Sequence, residues 1–88
     1  MTIKPGFIKH RIGERYIVVA TGALCKDFNC TIELNETGSL LWDWIAAGQS
    51  AQKLAQNLAK QFDILPADAA RDVDSFLAKM RSAGILID

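Results

Sequence analysis

"DFNCTIELNETGSLLWDWI", residues 27–45, changes its periodicity at Asn35. Before that point Phe28, Cys30, Ile32 and Leu34 alternate with Asn29, Thr31 and Glu33, which puts the apolar set on one side of an antiparallel strand and the polar set on the other. After it, Leu40, Leu41, Trp44 and Ile45 recur three and four apart, the period of an amphipathic helix. Asn35 suits the junction: its side-chain oxygen can accept the N–H groups that open a helix, and Glu36 then meets the positive end of the helix dipole. A strand over 28–34 is therefore expected to run straight into a helix that Gly48 stops.

Upstream, "FIKHRIGERYIVVAT" reads as a hairpin, because Gly13-Glu14 is a two-residue Gly-X loop of the kind that makes a type II′ turn between flanks rich in Ile, Val and Tyr. Gly22 and "CKD" then turn the chain into the strand over 28–34, the third of a meander and hence an edge strand. Downstream, Ser50 can cap a second helix with the stripe Leu54, Ala55, Leu58, Ala59 and Phe62. Pro66 fits the first turn of a third helix. Its apolar face is Ala69, Ala70, Val73, Phe76, Leu77, Met80 and Ala83, and Gly84 ends it. The closing "ILID" reads as a short extended tail whose Ile85 and Ile87 add to the core. The expected fold is α+β in the order β-β-β-α-α-α, a winged helix-turn-helix with a vestigial wing, in one domain over residues 1–88.

Half of the 88 residues are hydrophobic and the charges are spread out, as in a globular domain. Ten basic and ten acidic residues cancel, which argues against nucleic acid or an anionic membrane as a partner held by long-range attraction. The first twenty residues lean basic through Lys4, Lys9, Arg11 and Arg15, read as a solvated face or, alternatively, a side that meets an acidic partner. No apolar run approaches the roughly 18 to 20 residues of a membrane span, and "MTIKPGFIKHRIGERY" lacks the pattern of a secretory signal, so a cytoplasmic location is expected. Cys25 and Cys30 are then reduced thiols, Cys30 in the core and Cys25 in a loop. With His10 in another segment they fall short of the four ligands of a structural zinc site, and neither metal nor cofactor is expected.

Nor does a catalytic constellation emerge. His10 alternates with Ile8 and Ile12 and has no acid, Ser or Cys at a suggestive spacing, which favours a packing or surface role over that of a general base. Asp68, Asp72 and Asp74 lie early in the third helix, where the dipole and Arg71 suffice to explain them. A DNA-reading third helix would carry basic and amide side chains. Over 66–84, however, Arg71, Lys79 and Arg81 balance the three aspartates, and there is no Asn or Gln. DNA-binding transcription regulation is therefore the alternative reading. The leading one uses the edge strand, whose free N–H and C=O groups could accept an extended peptide as a fourth strand, with the third helix as the second wall. The plainer alternative makes Lys26 and Glu33 simple edge protection.

"IELNETGSLLWDWI" and "LPADAARDVDSFLAKMRSAGIL", with "GFIKHRIGERYIVVATG" before them, resemble the pyrroloquinoline quinone biosynthesis protein D (PqqD) family over nearly the whole chain. This family is the stand-alone form of the precursor-peptide recognition domain of ribosomal peptide modification pathways. The "LNETG" turn before an apolar-aromatic run is the most specific part of the likeness. The resemblance implies three strands before a winged helix-turn-helix and no catalytic activity or cofactor of its own. It also implies binding of a precursor's leader segment as an added strand, and presentation of it to a modifying enzyme, often a radical S-adenosylmethionine protein. Carried onto this chain, the strand is Phe28, Asn29, Cys30, Thr31, Ile32, Glu33 and Leu34, the helix wall is Val73, Phe76, Leu77 and Met80, and Asp72 and Lys79 form its border. The chain departs from the family pattern at Trp44, where an aliphatic residue is common, and at Leu65, where a Ser or Asp cap usually precedes the proline. Trp42, roughly opposite the first helix's stripe, either docks on the enzyme or folds down on the strands. A monomer is expected, or a dimer that exchanges an element about Gly22 or Gly48.

Overall fold

The computed structural model describes residues 1–21 and 32–87. In chain order these form β1 (Thr2–Ile3), β2 (Phe7–Ile12), β3 (Arg15–Ala20), β4 (Ile32–Leu34), α1 (Glu36–Ala46), α2 (Ala51–Phe62), α3 (Pro66–Ser82) and β5 (Leu86–Ile87). The order β-β-β-α-α-α of the expected α+β fold is present in β2 to α3, with β1 and β5 added at the ends.

The hairpin forms as expected. Ile12 pairs with Arg15 across Gly13-Glu14, and Gly13 is the loop residue with positive φ, at 63°. That is the type II′ requirement, whose twist matches the flanking strands. The antiparallel sheet has the order β2-β3-β4. Its register places Phe7, Lys9, Tyr16, Val18, Ile32 and Leu34 on the face turned to the helices, and Ile8, His10, Ile12, Ile17, Val19 and Glu33 on the other. Val18 and Leu34 are buried accordingly, whereas Ile8 and Ile12 are exposed. Of the strand expected over 28–34, Ile32–Leu34 is described; Gly22, Cys25 and residues 28–31 lie outside the described residues.

Each helix start has a local cause. Asn35 Oδ1 accepts the Gly38 N–H at 2.8 Å to open α1. Ser50 Oγ accepts the Lys53 N–H at 3.3 Å to open α2. Leu65 offers α3 no side-chain cap, and Pro66 begins the helix with a pre-set φ. Gly48 and Gly84 follow α1 and α3 with φ of 91° and 76°, and Asp63 ends α2 in the left-handed region. The core is Leu41, Trp42 and Ile45 of α1, Leu54 and Leu58 of α2, and Ala69, Val73, Leu77 and Met80 of α3, closed by Val18, Leu34, Ile85 and Leu86.

Several expectations are corrected. The face that α1 buries is Gly38, Leu41, Trp42 and Ile45, with Leu40 and Trp44 only half-buried. The apolar run 40–42 and 44–45 fits two adjacent faces, and helix α1 turns the one that can meet both β3 and α2. Trp42 thus packs, at 6 % exposure. Phe62 and Ala70 are exposed instead of buried. The C-terminal tail is a paired strand: Thr2 and Ile3 face Ile87 and Leu86, and the Lys4 N–H donates to the Ile85 carbonyl at 2.7 Å. This pairing turns Ile85 and Leu86 inward and leaves Ile87 45 % exposed. Lys9 is not part of a solvated face. Its Nζ donates to Ser39 Oγ at 2.6 Å and to Asp43 Oδ1 at 2.7 Å, and it lies 5.2 Å from the centroid of the Tyr16 ring. The hairpin is tied to α1 through this one cation.

Candidate functional site

On its β3 side β4 is paired; on its other side no strand pairs with it among the described residues. Leu34 ends β4 in the core, Asn35 caps α1, and α3 crosses alongside. Between them lies a groove of about 550 Å³. Its strand wall is Glu33 and Leu34, its floor Thr37, Gly38 and Leu41 with the cap Asn35, and its helix wall Asp72, Ser75, Phe76 and Lys79. The helix wall follows from spacing, since positions i, i+3, i+4 and i+7 share a face. The next face round, Ala69, Val73, Leu77 and Met80, is buried in the core.

Gly38 explains why the corner closes so tightly. A Cβ there would stand 3.2 Å from Asn35 Oδ1, 3.4 Å from Phe76 Cε2 and 3.5 Å from Leu34 Cβ. Glycine inside a helix costs about 1 kcal/mol relative to alanine, and here it lets the Phe76 ring lie against the first turn of α1 and the end of β4. The "LNETG" stretch thus supplies a core residue, a cap and a clearance in succession.

Charge is arranged around Phe76. Glu33 projects from the far face of the sheet, 3.7 Å from Arg15, and both side chains are well exposed; such a pair contributes little. Asp72 and Lys79 are exposed at the two ends of the helix wall. Neither has an ion-pair partner among the described residues.

Of the residues expected at the site, the structure brings together Glu33, Leu34, Asp72, Phe76 and Lys79. Ile32 is half-buried on the helix side of β4. Val73, Leu77 and Met80, expected in the wall, are 2 %, 2 % and 1 % exposed and stand behind it in the core. The apolar face of α3 is broad enough to serve the core and the groove at once, and only Phe76 of that set belongs to the groove. Phe28, Asn29, Cys30 and Thr31 lie outside the described residues. The floor residues Thr37, Gly38 and Leu41, and Ser75 in the wall, were not foreseen. The 72-75-76-79 spacing was the available signal for Ser75.

A second groove, of about 510 Å³, opens on the other flank of α3. It is bounded by Ala51, Ala55 and Ala59 of α2 and by Pro66, Ala70 and Val73 of α3. Among the described residues no strand borders it. Among the described residues no helix is long and apolar enough to cross a membrane.

A three-stranded antiparallel sheet followed by three helices defines a class of α+β fold that two solved structures share. One is described as TbiB1 in complex with the TbiA(beta) leader peptide; it superposes with a TM-score of 0.81 at 14 % identity, covering 100 % of both chains. The other is a lasso peptide synthetase B1 complexed with the leader peptide, with a TM-score of 0.80 at 17 % identity, covering 98 % of this chain and 95 % of that one. At such identities the agreement is one of fold. The chain belongs to the coenzyme PQQ synthesis protein D (PqqD) family, whose model matches residues 27–86. The sequence matches none of the curated proteins.

Proposed function

We propose that this protein is a non-catalytic peptide chaperone that takes up the leader segment of a ribosomally made precursor peptide and presents it to a modifying enzyme, of the radical S-adenosylmethionine type. The leader adds as a fourth strand along the outer edge of β4, and its inward side chains lie against Asp72, Phe76 and Lys79. One observation carries this reading: Glu33 and Leu34, on the side of β4 that pairs with no strand among the described residues, border the same groove as the Phe76 face of α3. Main-chain hydrogen bonds would give affinity and the groove would choose among side chains. Family membership supports it, as do the two structures of the same fold, each of which holds a leader peptide.

The test uses peptides enriched on the protein from a library of random dodecapeptides. Binding is expected to slow amide exchange within Ile32–Leu34 and to perturb residues 72–79 of α3. Protection confined to α2 and the opposite flank of α3 would refute strand addition. Salt separates the alternative of DNA binding. Peptide affinity is expected to change by less than about tenfold between about 50 and 200 mM salt, whereas a protein that contacts many phosphates loses roughly 10³ to 10⁵ in affinity over that range.

A further inference from the structure

The helix wall ends in two charges of opposite sign, and their spacing matches an extended chain. Asp72, Phe76 and Lys79 lie on one face of α3 and span about 10.5 Å along the axis at 1.5 Å per residue. Side chains on one face of a strand recur every second residue, so three in succession span about 13 Å. Measured from Phe76, two strand residues span about 6.6 Å against about 6 Å to Asp72 and about 4.5 Å to Lys79, and the longer Lys side chain absorbs the larger difference of about 2 Å. Other charges near the site are engaged: Glu33 with Arg15, and Lys9 with Asp43.

Resting on the strand-addition reading above, we propose that the groove selects its peptide by a charge frame. An apolar side chain lies over Phe76, with a basic residue two positions to one side facing Asp72 and an acidic residue two positions to the other side facing Lys79. With the direction of the added strand set by its pairing to β4, ends of unlike sign fix the order in which base and acid follow along the peptide. A peptide with the reverse order places like charges opposite each other at both ends, and that repulsion discriminates. Complementarity of this kind sets partner choice and orientation more than raw affinity. The segment that fits is neutral overall, in keeping with a chain whose own charges cancel.

Random dodecapeptides are selected separately on the wild-type protein and on the Asp72→Lys/Lys79→Asp double variant, both sites being exposed helix positions. The wild type is expected to enrich peptides in which an apolar residue sits between a base and an acid, each two positions away and in one constant order. The double variant is expected to enrich the inverse order. A peptide selected on the wild type is expected to bind Asp72→Lys or Lys79→Asp about three- to tenfold more weakly, as for exposed ion pairs that are lost and replaced by repulsion, with both variants still folded. Enriched peptides without charge bias, or with the same order on both proteins, overturn the frame. If those peptides still protect the amides of Ile32–Leu34, strand addition itself stands; no enrichment, or protection confined to the α2–α3 flank, removes both.

Discussion

Helix α3 carries a groove on each flank, of similar size and different kind. The flank facing α2 is bordered by the alanines of that helix, with Gln52, Gln56, Lys60 and Asp74 beside them. The flank facing β4 is more polar, and it is bordered by a strand that among the described residues pairs on one side only. The groove on the α2 side offers a visiting backbone the side chains of Gln52, Gln56, Lys60 and Asp74, but no strand edge among the described residues. The more polar groove borders an edge of β4 whose outward backbone groups, beside an aromatic surface, would supply what an extended chain lacks when it leaves water. On the strand-addition reading, a neighbouring strand edge, and not apolarity, marks the flank that takes a peptide.

Substitutions can break or sharpen this contrast. The largest effect is expected at Leu41, which is 1 % exposed and also floors the β4-side groove. Leu41→Ala is expected to cost about 2 to 5 kcal/mol in chemical denaturation, by lost burial and a residual cavity. A much smaller cost would mean that the floor is not continuous with the core. Phe76, half-buried at the wall, is next. Phe76→Ala is expected to leave the domain folded and to weaken a selected peptide at least tenfold, about 1.4 kcal/mol, in fluorescence anisotropy; unaltered affinity would remove the ring from the contact surface. Asn35→Ala deletes the cap at the groove's corner and is expected to cost about 1 kcal/mol of stability. Ala55→Leu partly fills the α2–α3 groove and is expected to change peptide affinity not at all and stability by within about 0.5 kcal/mol. A clear drop in affinity there would point to the wrong flank.

What could be read from the residues was what local chemistry decides. Gly13-Glu14 made the hairpin, and Asn35, Ser50 and Pro66 opened helices where their caps and fixed φ required. The pairing of Thr2–Ile3 with Leu86–Ile87 escaped, because two-residue strands at opposite ends of the chain have no period to detect. In α1, five apolar residues within 40–45 left the buried face open between Trp42 and Trp44, and contact with the sheet and α2 chose Trp42. In α3 the apolar face was wide enough to merge two surfaces, so Val73, Leu77 and Met80 were grouped with Phe76 until packing separated them. The clearance at Gly38 depends on a residue far along the chain. No local pattern could disclose it.

Strand addition is tested most directly by isotope-filtered nuclear Overhauser spectroscopy of the labelled protein with an unlabelled selected peptide. Cross-strand backbone contacts between the peptide and Ile32–Leu34 are expected, with side-chain contacts from alternate peptide residues to Phe76. Contacts to Ala55, Ala59 and Ala70 with none to the β4 backbone would contradict it.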